Sequence, residues 1–431
     1  MAWHEVYDSK LISLETAAAM IRSGDRIYIG ASAVVPYAIL NILSDRASEL
    51  TDVLLVGGML LNPVKFLENP ECHGHIDYET FFLNGYDKVG VKNGNTHVNS
   101  IHLSQVARYY REVIKPNLLI TEVSEPDEEG FMTWGAVGVA WSGDVNDFSS
   151  VKKRIVVVNK HQPHCSFGFK NKIHVSEVDA ICLDDHLLPE FPQPEVTEVD
   201  QQIADLILEQ IPDGATLQIG LGGLANAVGY GLGKKKDLAV HTEMLTDSIV
   251  SLARAGAINR DMCAAFGLGS QNVYDFLNEG RVFMQPISIV NDAYEIGSHE
   301  NFISINSCLM ADLTGQVGSE SIGNRQFSGT GGQLDFVKGA ALSKGGKSFL
   351  CMHSTTQGKN GELISKVNFH LPEGAIVTDP RSEVMYIVTE YGIADLYLKP
   401  IRDRVKAMIA IAHPQFRDEL REKALAAGMI Q

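Results

Sequence analysis

The pattern of apolar and polar positions in this chain repeats itself. An apolar-periodic stretch, "LETAAAMIRS", leads into "SGDRIYIGASAVVPYAIL", from Ser23 to Leu40. A second such stretch, "VDQQIADLILEQI", leads into "DGATLQIGLGGLANAVGY", from Asp213 to Tyr230. Each reads as helix, turn, strand, Gly-rich loop and helix. Gly24 matches Gly214 and Gly30 matches Gly220, both offset by 190 (214 − 24, 220 − 30). The following strands are "DVLLVGGML" and "LAVHTEML". Met59-Leu60 aligns there with Met244-Leu245, at an offset of 185 (244 − 59). In that alignment Gly58 takes the place of Glu243. A repeat of this length marks two related units.

Strands alternating with amphipathic helices predict an α/β protein: two related open α/β domains with mainly parallel sheets. The boundary falls in "LLPEFPQPEVTEVD", Leu187 to Asp200, rich in proline and acids. It divides the chain into residues 1–190 and 191–431. The tail from Ile401 predicts closing helices broken at Pro414.

Composition narrows the function classes. The 431 residues suit two or three domains. A formal charge of −17 disfavours nucleic acid and anionic membrane as partners. No apolar run reaches the ~20 residues that span a bilayer, and "MAWHEVYDSK" lacks the order of a secretory signal. The six cysteines are scattered, without a C-x-x-C pair, which predicts reduced thiols in a cytoplasmic protein. "CHGH" (Cys72 to His75) and "HQPHC" (His161 to Cys165) lack second halves at zinc-like spacing, so no metal is expected.

Three segments carry candidate chemistry. In "GLGGLANAV", Gly220 to Val228, glycines after a strand let the backbone approach a ligand, and the helix N-terminus favours an anion. The third glycine of a dinucleotide fingerprint is missing, since residue 225 is Ala. A tight βα turn explains the same residues. In "HTEMLTD", Glu243 ends a strand, where α/β sheets hold their ligands. Thr246 or Asp247 caps the next helix, which leaves Glu243 without that explanation. His241 is expected to be packed or hydrogen-bonded rather than a base. In "QFSGTGGQLDF", Gln326 to Phe336, successive backbone N–H groups suit an anion nest or an oxyanion hole; a flexible turn is the plain alternative. Glu390, after "VMYIV", is expected to be structural or to support the site from behind its contact residues.

Together these motifs resemble the class I CoA-transferases of the acetyl-CoA hydrolase/transferase group, especially the 4-hydroxybutyrate and butyrate CoA-transferases. The resemblance covers the whole length and rests on "LQIGLGGLANAV", "HTEMLTD", "SIGNRQFSGTGGQLDFVKGA", "LISKV", "VTEYGIADL" and "IAHPQFRDEL". It implies two related α/β domains and a homodimer. It implies that Glu243 is a nucleophile forming a glutamyl-CoA thioester. It implies CoA contacts at Gly220, Leu221, Gly222, Gly223 and Leu224, and at Gly329 and Gly331. Gly332 is the implied oxyanion donor. Coenzyme A enters as acyl-CoA substrate with a short-chain carboxylate such as 4-hydroxybutyrate or butyrate, and no permanently bound cofactor is implied.

Some positions depart from the family. Gln357 stands where several relatives have lysine, with Lys359 two positions on. Leu224-Ala225-Asn226 replaces Ile-Pro-Asn or Ile-Pro-Asp. "IHLSQVARYY", Ile101 to Tyr110, departs from the 4-hydroxybutyrate pattern. An acyl-CoA hydrolase would use the same residues. A dinucleotide-dependent oxidoreductase would need a hydride-transfer site that the sequence does not offer.

Overall fold

The computed structural model describes residues 2–191 and 194–431. Pro192 and Gln193, inside the expected boundary segment, lie outside the described residues. Two large sheets dominate. The first contains β1 (Arg26–Ala31), β2 (Val53–Gly58), β3 (Ile76–Thr80), β4 (Thr96–Val98), β5 (Leu118–Val123), β6 (Lys153–Val158) and β7 (Ala180–Leu183). Its order is β4-β3-β2-β1-β5-β6-β7, with every neighbour parallel.

The second sheet contains β8 (Thr216–Ile219), β9 (Leu238–Leu245), β10 (Ile258–Gly267), β11 (Phe283–Met284), β12 (Phe302–Ser307), β13 (Lys347–Cys351), β14 (Tyr386–Thr389) and β15 (Gly392–Asp395). Its order is β11-β10-β9-β8-β12-β13-β14-β15. β8 pairs in parallel with β9 and β12, and β12 with β13. β15 closes the edge antiparallel to β14. Apart from that extra strand, the two sheets share one strand order. The strands are buried, as parallel strands flanked by helices are.

Strand register tests the repeat residue by residue. Arg26 faces Leu54 and Ile27 faces Leu55 in the first sheet. In the second, Thr216 faces Ala239 and Leu217 faces Val240. The offsets are 190 for the first partner (216 − 26) and 185 for the second (239 − 54). These are the two offsets found in the sequence. Gly58 and Glu243 therefore hold equivalent places. The third strand follows suit: Ile27 faces Leu118, and Leu217 faces Ile303.

The chain divides into two compact units. One is Met1–Phe191, Glu243–Thr246 and Met262–Val290; the other is Pro192–Thr242, Asp247–Asp261 and Asn291–Gln431. The first has a core built from Ile27, Ile29, Leu55, Tyr78 and Ile120, with the helix Tyr37–Asp45 packed on it through Ile39, Leu40 and Leu43. The second has a core around Leu313, Leu350, Ile387 and Met408, closed by the C-terminal helices Ile401–Ile411 and Pro414–Ala426. Pro414 opens the last of these helices, so the break expected there is a fresh start with proline in the first turn. Cys72, Cys165, Cys182, Cys308 and Cys351 are buried free thiols. No helix among the described residues is long and apolar enough to cross a membrane.

Gly58 shows why the first half lacks a side chain at the position of Glu243. A Cβ built there would lie 2.5–3.0 Å from three atoms of the Phe81 ring. Phe81 in turn packs on Trp141, with ring centroids 4.8 Å apart. Overpacking of this kind costs about 1–3 kcal/mol. Gly58→Ala should destabilise the protein by that amount in urea unfolding. Phe81→Leu in the same chain should recover part of the loss, and a double-mutant cycle showing no coupling would contradict this account.

Candidate active site

Glu243 lies near the end of β9, half-buried between buried Thr242 and Met244. Thr246 follows the strand, and Asp247 is the first residue of the next helix, Asp247–Arg254. An acid in a first turn complements the helix dipole, which accounts for Asp247 without help from Glu243. His241 is 1% exposed and packs against His299 and Phe302, in agreement with a packed rather than catalytic histidine.

The two Gly-rich segments of the second unit meet at the end of β12. Gly220 N–H donates to the carbonyl of Ile305 at 2.9 Å, and a Cβ on Gly220 would lie 2.7 Å from Asn306 Oδ1. Asn306 is held by Gln218 through two amide hydrogen bonds of 3.0 Å. Gly222 has φ +115°, a value few side chains tolerate, and it directly precedes the helix Gly223–Gly231. A Cβ on Gly222 would meet only Ser307 Oγ, at 3.9 Å. The carbonyl of Ser307 accepts from Gln333 Nε2 at 3.3 Å. Gln333 begins the helix Gln333–Leu342, whose N-cap is Gly332. Gly331 has φ +71°, and a Cβ there would have nothing within 4 Å. Gly220 and Gly222 thus lie at the end of β12, and the loop of Gly331 and Gly332 reaches it through the Gln333 side chain. Glu243 is grouped with the first compact unit, not with these loops.

Not every glycine of the first loop is there for a ligand. A Cβ on Gly223 would lie 2.8 Å from the Glu195 carbonyl and 3.0 Å from Asp200 Oδ2. Packing alone requires that glycine. Leu224 is buried, while Leu221 is exposed. The Gly329 carbonyl accepts from Ser328 Oγ at 3.1 Å.

Several residues that the sequence did not single out build this region. Buried Glu320 organises the second loop. Its carboxylate accepts from Thr330 Oγ and Thr378 Oγ, each at 3.1 Å, and from Gln326 Nε2 at 3.2 Å. Its carbonyl accepts from Phe327 N–H at 2.7 Å. Asp200 closes a capping box with Thr197 and accepts from His353 Nε2 at 2.8 Å. Burial opposes its charge, but the hydrogen bonds from His353 and Thr197 outweigh it and hold the carboxyl below the ordinary range. The Thr-x-x-Asp spacing was the one signal that could have found it. Glu390 accepts from the Ser354 N–H at 2.9 Å and from its hydroxyl, the structural role expected of it.

Known proteins share this architecture. Residues 1–191 match the acetyl-CoA hydrolase/transferase N-terminal domain, and residues 269–424 match its C-terminal domain. The chain is 37% identical to butyryl-CoA:acetate CoA-transferase of Anaerostipes caccae, over 97% of each chain. The chain belongs to the acetyl-CoA hydrolase/transferase family. It is an enzyme of the CoA-transferase type. It is 34% identical to 4-hydroxybutyrate coenzyme A transferase of Clostridium kluyveri, over 97% of this chain and 98% of that one. Among solved structures it superposes on RipA from Yersinia pestis with a TM-score of 0.90, at 32% identity over both full chains. Acetyl-CoA hydrolase of Candida albicans matches 48% of this chain and 40% of that one, at 27% identity.

The first half has a buried acid of its own. Glu122 lies near the end of β5 and is fully buried. Its Oε2 accepts from Gln162 Nε2 at 3.0 Å and Asn159 Nδ2 at 3.3 Å, and its Oε1 lies 3.3 Å from His186 Nε2. Burial pushes the carboxyl up to about 8, against the pull of the Gln162 and Asn159 hydrogen bonds. In the unfolded chain it ionises near its ordinary value. Between those two pH values the folded state holds the extra proton, so this group's stabilising contribution falls as pH rises. Glu122→Gln should flatten the pH dependence of unfolding between about pH 4.5 and 8. Denaturant midpoints at several pH values in that window would check it, and an unchanged slope would contradict it.

Proposed function

We propose that the protein moves CoA between an acyl-CoA and a short-chain carboxylic acid through a thioester on Glu243. The carrying observation is the acid itself: Glu243 stands at the strand end where the related half has Gly58 and a packed aromatic ring. The names of the relatives at 37% and 34% identity support the reaction class. Butyrate, 4-hydroxybutyrate and acetate are the acids those names suggest.

The chemistry suits a carboxylate. The Glu243 carboxylate attacks the acyl-CoA carbonyl carbon, the C–S bond breaks, and a mixed anhydride and CoA thiolate result. The thiolate attacks the glutamyl carbonyl, expelling the first acid and leaving enzyme-bound CoA thioester. A second acid carboxylate attacks that thioester and the steps run in reverse. Each exchange swaps one carboxylate for another, so the energies stay nearly balanced. A carboxylate attacks as the anion and needs no partner base. What it needs is a donor for the oxyanion, worth roughly 3–4 kcal/mol in comparable acyl transfers. Gly332 N–H fills that role in this proposal. The backbone at Gly220 to Leu224, with Gly329 and Gly331, takes CoA.

The same proposal makes residues 1–190 an N-terminal CoA-transferase-like α/β domain, whose segment Ile101 to Tyr110 helps shape the acyl pocket, and residues 191–431 the stretch of chain that carries the nucleophile. The enzyme acts as a cytoplasmic homodimer on free CoA esters, without a permanently bound cofactor. A second reading, hydrolysis of acetyl-CoA at the same site, has support from the hydrolase relatives.

Glu243→Ala should abolish transfer, and Glu243→Asp should fail as well, because its carboxylate retreats by one methylene. Mass spectrometry after incubation with butyryl-CoA should find a CoA adduct on Glu243, and borohydride should reduce that side chain. An unmodified Glu243 would remove the thioester proposal. CoA release equally fast with and without added acetate would decide for the hydrolase.

A further inference from the structure

We propose that His241, Glu295 and His299 form a binding site for a divalent transition-metal ion of the zinc class. The inference is independent of the transferase chemistry. His241 belongs to β9, and Glu295 to the short helix Ala293–Ser298, which His299 caps at its C-terminal end. The two imidazole rings stand with centroids 4.7 Å apart and planes at 46°. One donor atom from each of the three residues lies within 4.8 Å of the other two.

The donor set is chemically specific. Two imidazoles and one carboxylate are the ligands of many zinc sites that keep a fourth position open. Metal–ligand bonds of ~2.0–2.2 Å place neighbouring donors about 3.3 Å apart in a tetrahedron. Binding an ion would draw donors that now lie within 4.8 Å of one another to that spacing. His299 Nε2 is buried and has no hydrogen-bond partner among the described residues. A buried polar nitrogen in that state calls for a ligand, and a metal ion supplies one.

The scaffold around the donors is fixed. Asp292 anchors the start of the short helix by accepting from the backbone N–H groups of Tyr294 and Glu295, at 2.9 and 3.0 Å. The His299 carbonyl accepts from Ser343 Oγ at 2.6 Å. The Phe302 ring lies 6.2 Å from both imidazoles and gives the site an apolar wall. Glu295 is exposed, which provides an entry path for the ion. Glu295 and His299 stand four residues apart, while His241 comes from a distant strand, so the full set is not visible as one local motif.

The test uses the full-length protein after chelator treatment. Titration with Co²⁺ should give the visible d–d absorption of a four-coordinate ion at one equivalent, and Zn²⁺ should displace it. His299→Ala and Glu295→Gln should each weaken binding at least ~10-fold, on the scale at which metal sites respond to loss of supporting groups. Glu295→Gln sits on the surface and tests the site without risk to folding. Absence of stoichiometric binding would overturn the proposal. So would binding unchanged in both variants, or an absorption dominated by thiolate-to-cobalt charge transfer, which would place the ion on cysteine.

Discussion

The structure depends on how closely the first strand of each half passes its neighbour. A Cβ on Gly30 would lie 2.6 Å from Thr121 Oγ1, and one on Gly220 would lie 2.7 Å from Asn306 Oδ1. At both places the chain leaves a central strand and the adjacent strand end fills the room that a side chain would take. Only glycine permits this approach. The approach fixes where each loop begins, and the shared register fixes which residues surround it.

Much of this was legible because the constraint is local and repeated. Gly24, Gly30, Gly214 and Gly220 are separated by the spacing that the strands enforce, so a simple offset found them. The shift from 190 to 185 between the first and second strands also survives into the pairing of Arg26 with Leu54 and Thr216 with Ala239. The position of Glu243 follows from that count. What escaped the sequence is the non-local part. Glu320 reaches Thr330 and Thr378 from separate segments. His353 finds Asp200 from 153 residues away. The closing antiparallel strand β15 has no counterpart in the first half, so the repeat could not announce it.

The asymmetry of the halves has a physical form. Carrying the register of the third strand forward, Glu122 corresponds to Ser307, because Leu118 corresponds to Ile303. In the first half that position holds a buried acid. Glu122 binds Gln162, and Gln162 Nε2 also donates to the carbonyl of Ala33 in the first loop, at 2.6 Å. Gln162 therefore links the buried acid to the backbone of the first loop. In the second half the position holds a small hydroxyl, and a Cβ on Gly222 would only just reach it, at 3.9 Å.

The same contrast recurs at the second strand. Phe81 covers Gly58 in the first half, whereas the second half places Glu243 at the equivalent point. Two changes, at two strands that flank the first, act in the same sense. The first half gains an aromatic ring and a buried acid at these points; the second has an acid at one and a serine near Gly222 at the other. A duplicated fold can tolerate this because the shared strand order carries stability in both copies, leaving the strand ends free to diverge. Such divergence leaves an acid at one of the two equivalent strand ends and a packed glycine at the other.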